Sequence, residues 1–354
     1  MIENNSKELL AWVSAYLPEI YRRQGNLELF PMKGDAGFRQ YFRVNSEPSV
    51  IAVDSPPSLE NNLALVRVSS HFAEHNIRVP KIHAVDFYRG FLLVQDFGDS
   101  VVQTSLNILN MRNVYTKAES IILDIQKIPQ DDGIYPSYDG EMLRSEMNLF
   151  SEWFVNALLN IHLKLRDRKI LENLFDLLIE SAILQPQVVV HKDYHSRNLM
   201  LLDNGELGVI DFQDALIGPI TYDLVSLLKD CYLSWPSKIV EDRALNFMNC
   251  LPSRDLLINE SEADFLRSFD WMGLQRHIKV LGIFSRLALR DKKTGYLNDI
   301  PRVINYVLDV AVKYPALRAF GDWFRRRLLP NISSRIDFAK RNDFDDYDET
   351  VTSN

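Results

Sequence analysis

The chain has 354 residues, 46% of them hydrophobic, enough to bury sizeable cores in two lobes rather than in one average domain. Its net charge of −8 provides no basic stripe for nucleic acid or an anionic membrane, and no apolar run approaches the roughly 18 residues of a spanning helix. Neither Cys231 nor Cys250 lies in a CxxC pair, and the charged start MIENNSKELL is neither a signal peptide nor a lipid anchor, so a cytoplasmic protein with reduced thiols is expected.

Residues 6–17 read as an amphipathic helix with Leu9, Val13, Tyr16 and Leu17 on one face. The period changes over 29–53, where ELFPMKG, FRQYFRV and SVIAVD read as strands separated by turn-forming segments. A helical pattern covers 58–75, and KIHAVDF and FLLVQDF then form a strand pair around Gly90. Strands, one helix and more strands predict a small antiparallel lobe with a packed helix. Beyond Gly98 the periodicity is helical over 103–127, 139–163, 166–183, 222–234, 239–250, 261–290 and 301–328, with short apolar strands inside 188–211. The tail from 341, rich in Asp and poor in apolar residues, is expected to be disordered.

The chemistry concentrates at HKDYHSRN, residues 191–198. LMLL leaves this segment, DNGE turns and LGVI returns, because Asn and Gly tolerate the positive φ of a tight turn. A hairpin brings its two ends together, which predicts Asn198 beside Asp211. An amide oxygen and a carboxylate form a hard-oxygen pair suited to Mg²⁺. Asp193, five residues before Asn198, is then free to orient a hydroxyl and accept its proton, an arrangement that phosphoryl transfer requires. His191 and His195 have the i, i+4 spacing of a zinc pair, but the helix and the Glu next to the first His are missing. Asp96-Phe97-Gly98 spells a kinase magnesium motif on the wrong side of HKDYHSRN; the order assigns 94–98 to a hinge instead.

The pattern HxDxxxxN, a hairpin, Asp211 and then GPITYDL (218–224) resembles the aminoglycoside phosphotransferase and choline kinase family. The resemblance implies an α+β, bilobal, protein-kinase-like fold, with an N-terminal lobe over 1–97, a catalytic and substrate lobe over 98–340, and a tail over 341–354. It implies ATP and Mg²⁺ as cofactors, Asp193 as catalytic base, Asn198 and Asp211 as metal ligands, His191 bracing the loop and Asp223 anchoring the helix below. Backbone around Gln95 and Phe97 would hold adenine.

The small lobe departs from that family. Its loop candidate is GDAGFRQYFRV (34–44), with Gly34 and Gly37 for phosphate approach and Arg39, less so Arg43, for phosphate contact. The strand Lys that such lobes use is missing, and Asp54 stands about where it belongs. FRQYFRV, VIAVDSPPSLENN, YPSYDGEMLRSEMNLFSEWF (135–154) and WMGLQRHIKVLGIFSRLALRDKKTGYLNDIPR (271–302) resemble one branch, the anomeric kinases of N-acetylmuramate and N-acetylglucosamine in cell-wall recycling. By that likeness the partner is a small amino sugar, with no nucleic acid and no membrane, and Glu146, Glu152, Trp153, Arg276 and His277 are candidate sugar contacts. A choline, ethanolamine or aminoglycoside kinase, and a catalytically silent nucleotide- or sugar-binding protein, are the competing readings.

Overall fold

The computed structural model describes residues 2–21, 26–32, 37–254, 256 and 261–332. Gly34 of the expected phosphate loop and the acidic tail 341–354 lie outside the described residues. The chain divides into two compact units, Met1–Ser105 with Arg197–Ala215, and Leu106–Ser196 with Leu216–Asn354.

In the first unit, helix α1 (Ile2–Tyr16) precedes strands β1 (Leu29–Pro31), β2 (Gln40–Val44) and β3 (Val50–Asp54), then helix α2 (Asn62–Glu74) and strands β4 (Ile82–Asp86) and β5 (Phe91–Gln95). The strands form one antiparallel sheet in the order β1-β2-β3-β5-β4. Alternation places Val50 and Ala52 of β3 and Phe91 and Leu93 of β5 on one face, where Leu9, Trp12, Val13 and Leu17 cover them. Asn61 caps α2 by accepting the Ala64 N–H at 3.1 Å.

The hairpin strands Leu199–Leu201 and Leu207–Val209 pair as expected, with Leu199 opposite Val209. Gly205 supplies the positive φ of the turn, at 76°. This hairpin belongs to the first unit, so the compact units do not follow the expected 97/98 boundary. The physical reason is backbone pairing: the Leu201 N–H donates to Ser100 O at 2.7 Å and the Val209 N–H to Arg78 O at 2.8 Å. A short helix, α3 (Val102–Ser105), adds contacts to the same hairpin.

The second unit is mainly helical: α4 (Met111–Gln126), α5 (Gly140–Leu149), α6 (Leu165–Leu184), α7 (Tyr222–Leu228), α8 (Ser237–Cys250), α9 (Glu262–Leu289) and α10 (Ile300–Lys313). The central helix α9 is buried over most of its length, and its Leu274, Ile278 and Leu281 sit in one core with Phe150, Phe154, Val303 and Val307. Strands Gln187–Val190 and Leu216–Pro219 pair antiparallel, and the segment 191–196 follows the first of them.

Three expected helices are broken. The stretch 103–127 divides because Asn107 and Asn110 bond each other's backbone, Asn107 Oδ1 accepting the Asn110 N–H at 3.1 Å and Asn110 Oδ1 the Asn107 N–H at 2.8 Å. The stretch 222–234 stops at Leu228, and 301–328 stops at Lys313 because Tyr314, before Pro315, is extended with ψ 122°. The helix expected over 139–163 continues past Leu149 as a π-helical segment, Phe150–Leu158.

Candidate active site

Asn198 and Asp211 meet at the open end of the hairpin. The Ile210 N–H donates to Asn198 O at 3.0 Å, and Asn198 Nδ2 stands 3.4 Å from Asp211 Oδ2. Asn198 is buried, while Asp211 is exposed and held at φ 62°. That backbone region costs a non-glycine residue about 1–3 kcal/mol, so the surrounding structure must fix it. Gln213 Nε2 donates to Asp211 Oδ1 at 2.9 Å. No cluster of three or more His, Cys, Asp or Glu that could hold a metal ion is present among the described residues. Asn198 turns its amide nitrogen toward Asp211 here; with the amide turned over, its oxygen beside one exposed carboxylate would fit Mg²⁺, which keeps several waters and takes phosphate oxygens as further ligands.

In the second unit the loop 191–196 is clamped at both ends by two carboxylates, one in the short helix α7 and one just past its end. Asp223, fully buried in α7, accepts the N–H of His191 at 2.7 Å and of Lys192 at 3.0 Å. Asp230, just past the end of α7 and equally buried, accepts the N–H of Ser196 at 2.9 Å and of Tyr232 at 2.8 Å. Each such charge-assisted bond is worth about 1.5–3 kcal/mol. The clamp holds Lys192 at φ 77°, and the Asp193 N–H donates to His191 Nδ1 at 3.2 Å. His191 therefore presents its unprotonated nitrogen to the loop. Burial pushes the Asp223 carboxyl up to about 7, against the two N–H groups that favour its anion.

Asp193 itself feels burial, which would raise its pKa, but Lys279, His195, Arg276 and Lys192 together hold it below the ordinary carboxylate value. It is thus an anion at neutral pH. Glu146, on α5, is tied to Lys279 at 3.0 Å and to Lys192 at 3.3 Å, and accepts the Tyr138 hydroxyl. Gln275 Nε2 donates to the same Tyr138 oxygen at 3.1 Å. Burial opposes the Glu146 anion, yet Lys279 and Lys192 bring its pKa below the ordinary value.

The other sugar candidates fall in different surroundings. Arg276 is buried, with Nη1 3.6 Å from Cys231 Sγ. His277 is enclosed: its ring stacks on Tyr306 at 4.7 Å, its Nε2 is 3.0 Å from Lys229 O, and burial pushes its pKa down to about 3. Glu152 is exposed and Trp153 half-buried on the π-helical segment, outside the Glu146–Lys192–Lys279 ion pairs.

In the first unit Arg39 is buried against Glu60, Nη2 to Oε2 at 2.9 Å, with Nε donating to Ser55 Oγ at 3.2 Å. Glu60 also accepts the Phe38 N–H at 3.0 Å, and Arg39 and Asp211 are both close enough to act on the Tyr41 hydroxyl, whose pKa burial raises. Arg43 is committed elsewhere: it donates to Asp96 at 2.6 Å and to Asp99 at 2.9 Å. Asp96, the Asp of the misplaced DFG, also accepts from Ser49 at 2.7 Å and the Gly98 N–H at 2.8 Å, a structural role. Gln95 accepts the Lys81 N–H at 3.3 Å, and Phe97 lies against Gly208 so closely that a Cβ there would sit 2.5 Å from the ring.

Asp230, Glu60, Lys192 and Lys279 were not singled out by sequence reasoning. Asp230 lies seven residues after Asp223 but past the end of α7, so helical phase does not place it. Glu60 and Lys279 carried no signal, because their partners are distant in sequence.

Fold and site together define a phosphotransferase of the protein-kinase-like class. The chain belongs to the phosphotransferase enzyme family, whose pattern matches residues 28–248. It is 37% identical over 325 residues to an N-acetylmuramate/N-acetylglucosamine kinase of Pseudomonas aeruginosa, covering 89% of this chain and 95% of that one. A protein of the same name from Neisseria meningitidis serogroup B is 35% identical over 316 residues, covering 88% and 92%. Among solved structures, a choline kinase from Cryptosporidium parvum superposes with a TM-score of 0.61 at 14% identity, covering 93% of this chain and 99% of that one. An ADP-bound aminoglycoside phosphotransferase does so with a TM-score of 0.54 at 12% identity, covering 86% and 98%. At such identities these two likenesses concern the fold. No helix among the described residues is long and apolar enough to cross a membrane.

Proposed function

We propose that this enzyme transfers the γ-phosphoryl group of ATP to the anomeric hydroxyl of N-acetylmuramate or N-acetylglucosamine, giving the sugar 1-phosphate, in the cytoplasm and in the service of cell-wall recycling. The observation that carries the reading is the identity of 37% over nearly the whole length of a relative with that name. Asn198 and Asp211 would hold Mg²⁺ through their side-chain oxygens, and the ion would supply neutralisation of charge on the transferred phosphate. Asp193 accepts a hydrogen bond from the sugar hydroxyl, orients its oxygen toward phosphorus and takes its proton. An anomeric hydroxyl is more acidic than an ordinary alcohol, so a base with a depressed pKa suffices. Arg39, steered by Glu60, supplies the cation that the absent strand Lys supplies elsewhere, and backbone at Gln95 and Phe97 receives adenine.

Lys192, Arg276 and Lys279, three of the four groups that hold the Asp193 pKa down, oppose a cationic acceptor, which disfavours choline, ethanolamine and aminoglycosides. Retention of Asp193, Asn198 and Asp211 together disfavours a silent nucleotide-binding protein. The test is turnover: ATP consumption with each sugar and with choline, in the parent protein and in Asp193→Ala. Consumption with choline alone, or consumption that survives Asp193→Ala, contradicts the reading.

A further inference from the structure

A cavity of about 170 Å³ opens in the second unit between α8, α9, α10 and the segment 229–237. It shares no lining residue with the Asp193–Glu146–Lys279 cluster. Its volume lies below the roughly 300–1,000 Å³ of pockets for drug-sized ligands, which suits a single small ring rather than a nucleotide.

Its wall has a particular chemistry. Trp235, Phe269 and Tyr306 contribute aromatic surface. Ser234 contributes a hydroxyl that is 3% exposed and has no hydrogen-bond partner among the described residues. A buried polar atom without a partner costs about 1–3 kcal/mol, which a ligand's hydroxyl would recover. Asn305 adds an amide at the exposed rim.

The charges at the wall balance. Lys229, Arg302 and Lys313 face Glu241, Asp270 and Asp309. Much of this is spent internally: Lys229 and Lys313 grip Asp270 at 2.6 and 2.8 Å, and Arg302 donates to Cys231 O at 2.9 Å. Equal numbers of the two signs select neither an anion nor a cation. Aromatic surface with alternating donors and acceptors and no net charge suits a neutral polyhydroxylated ring. We propose that this cavity is a second, non-catalytic binding site for a neutral monosaccharide. It goes beyond the proposed kinase activity and does not depend on it.

The site is wired to the loop that carries Asp193. Lys229 lines the cavity, and Asp230 beside it accepts the Ser196 N–H.

The test uses the full chain and the methyl glycoside of N-acetylglucosamine, which lacks an anomeric hydroxyl and is no acceptor for anomeric phosphorylation. Binding is followed by calorimetry and by saturation-transfer NMR in the parent protein, in Ser234→Phe, which fills the cavity, and in Asn305→Trp, which blocks its exposed rim and spares the core. The proposal expects affinity for the glycoside to fall at least tenfold in both variants while the KM for the acceptor sugar changes less than twofold. Should Ser234→Phe fail to fold, Asn305→Trp decides. No binding to the parent protein, binding unchanged in Asn305→Trp, or glycoside affinity that moves in step with acceptor KM would each overturn it; in the last case the glycoside occupies the acceptor site instead.

Discussion

The carboxylate of Asp230 accepts the backbone N–H of Ser196 at 2.9 Å, with no part of Asp230 exposed to solvent. Together with Asp223 of α7 it makes a two-point clamp on the loop that carries Asp193. Asp230→Ala leaves two buried N–H groups, of Ser196 and Tyr232, without their acceptor. The expected loss is about 2–4 kcal/mol of stability in urea unfolding. At temperatures where the variant is folded, kcat is expected to fall by more than tenfold with the KM for ATP little changed, since the loop and not the small unit is loosened. A variant as stable and as active as the parent would show that the clamp does nothing.

Asp223 gives the clamp a pH signature. Its folded pKa, about 7, lies above the ordinary 3.8, so the native state holds this proton more tightly than the unfolded chain. The favourable contribution is full below the ordinary value and is lost as the pH rises to about 7. Asp223→Asn has no such proton. The stability advantage of the parent over this variant is expected to shrink between pH 4.5 and pH 7.5, measured by urea unfolding at both; an advantage that grows with pH contradicts the account.

Arg39 and Glu60 form the pair that stands where a strand Lys is missing. Glu60→Gln keeps an acceptor for the Phe38 N–H but removes the charge that aims Arg39. A rise of roughly fivefold to twentyfold in the KM for ATP, about 1–2 kcal/mol, is expected, with partial recovery in Glu60→Asp. An unchanged KM would assign the pair to folding alone.

Lys279 is the leading attractive charge on Asp193. Its replacement by Met raises the Asp193 pKa, so the acid limb of the kcat/KM profile is expected to move to higher pH, because activity needs the anion. Glu146→Gln acts in the opposite sense: it leaves Lys279 and Lys192 without their counter-charge and moves the limb to lower pH. Two limbs that shift together would remove the electrostatic link between the cluster and the base.

What was legible in the sequence follows from locality. The hairpin was read from DNGE and its flanking apolar runs, and its geometry alone set Asn198 beside Asp211. The loop 191–198 was read because its chemistry lies in eight consecutive residues. Helix ends were harder: Tyr314-Pro315 breaks a run whose apolar spacing continues, and the Asn107–Asn110 exchange breaks another. Glu146, a candidate sugar contact, is paired with Lys192, Lys279 and Tyr138, partners that periodicity cannot reveal. His277, another candidate, is a stacked, enclosed ring, and a helix buried on nearly all sides gives its polar residues no distinguishing phase.

The central claim is that Asp193 directs phosphate to an anomeric oxygen. Incubation of the protein with ATP, Mg²⁺ and N-acetylmuramate or N-acetylglucosamine, followed by ³¹P NMR, tests it most directly. The account predicts a new phosphorus resonance coupled to the anomeric proton, formed by the parent protein and absent with Asp193→Ala. Phosphate at another sugar hydroxyl, or a product formed equally by the variant, would contradict it.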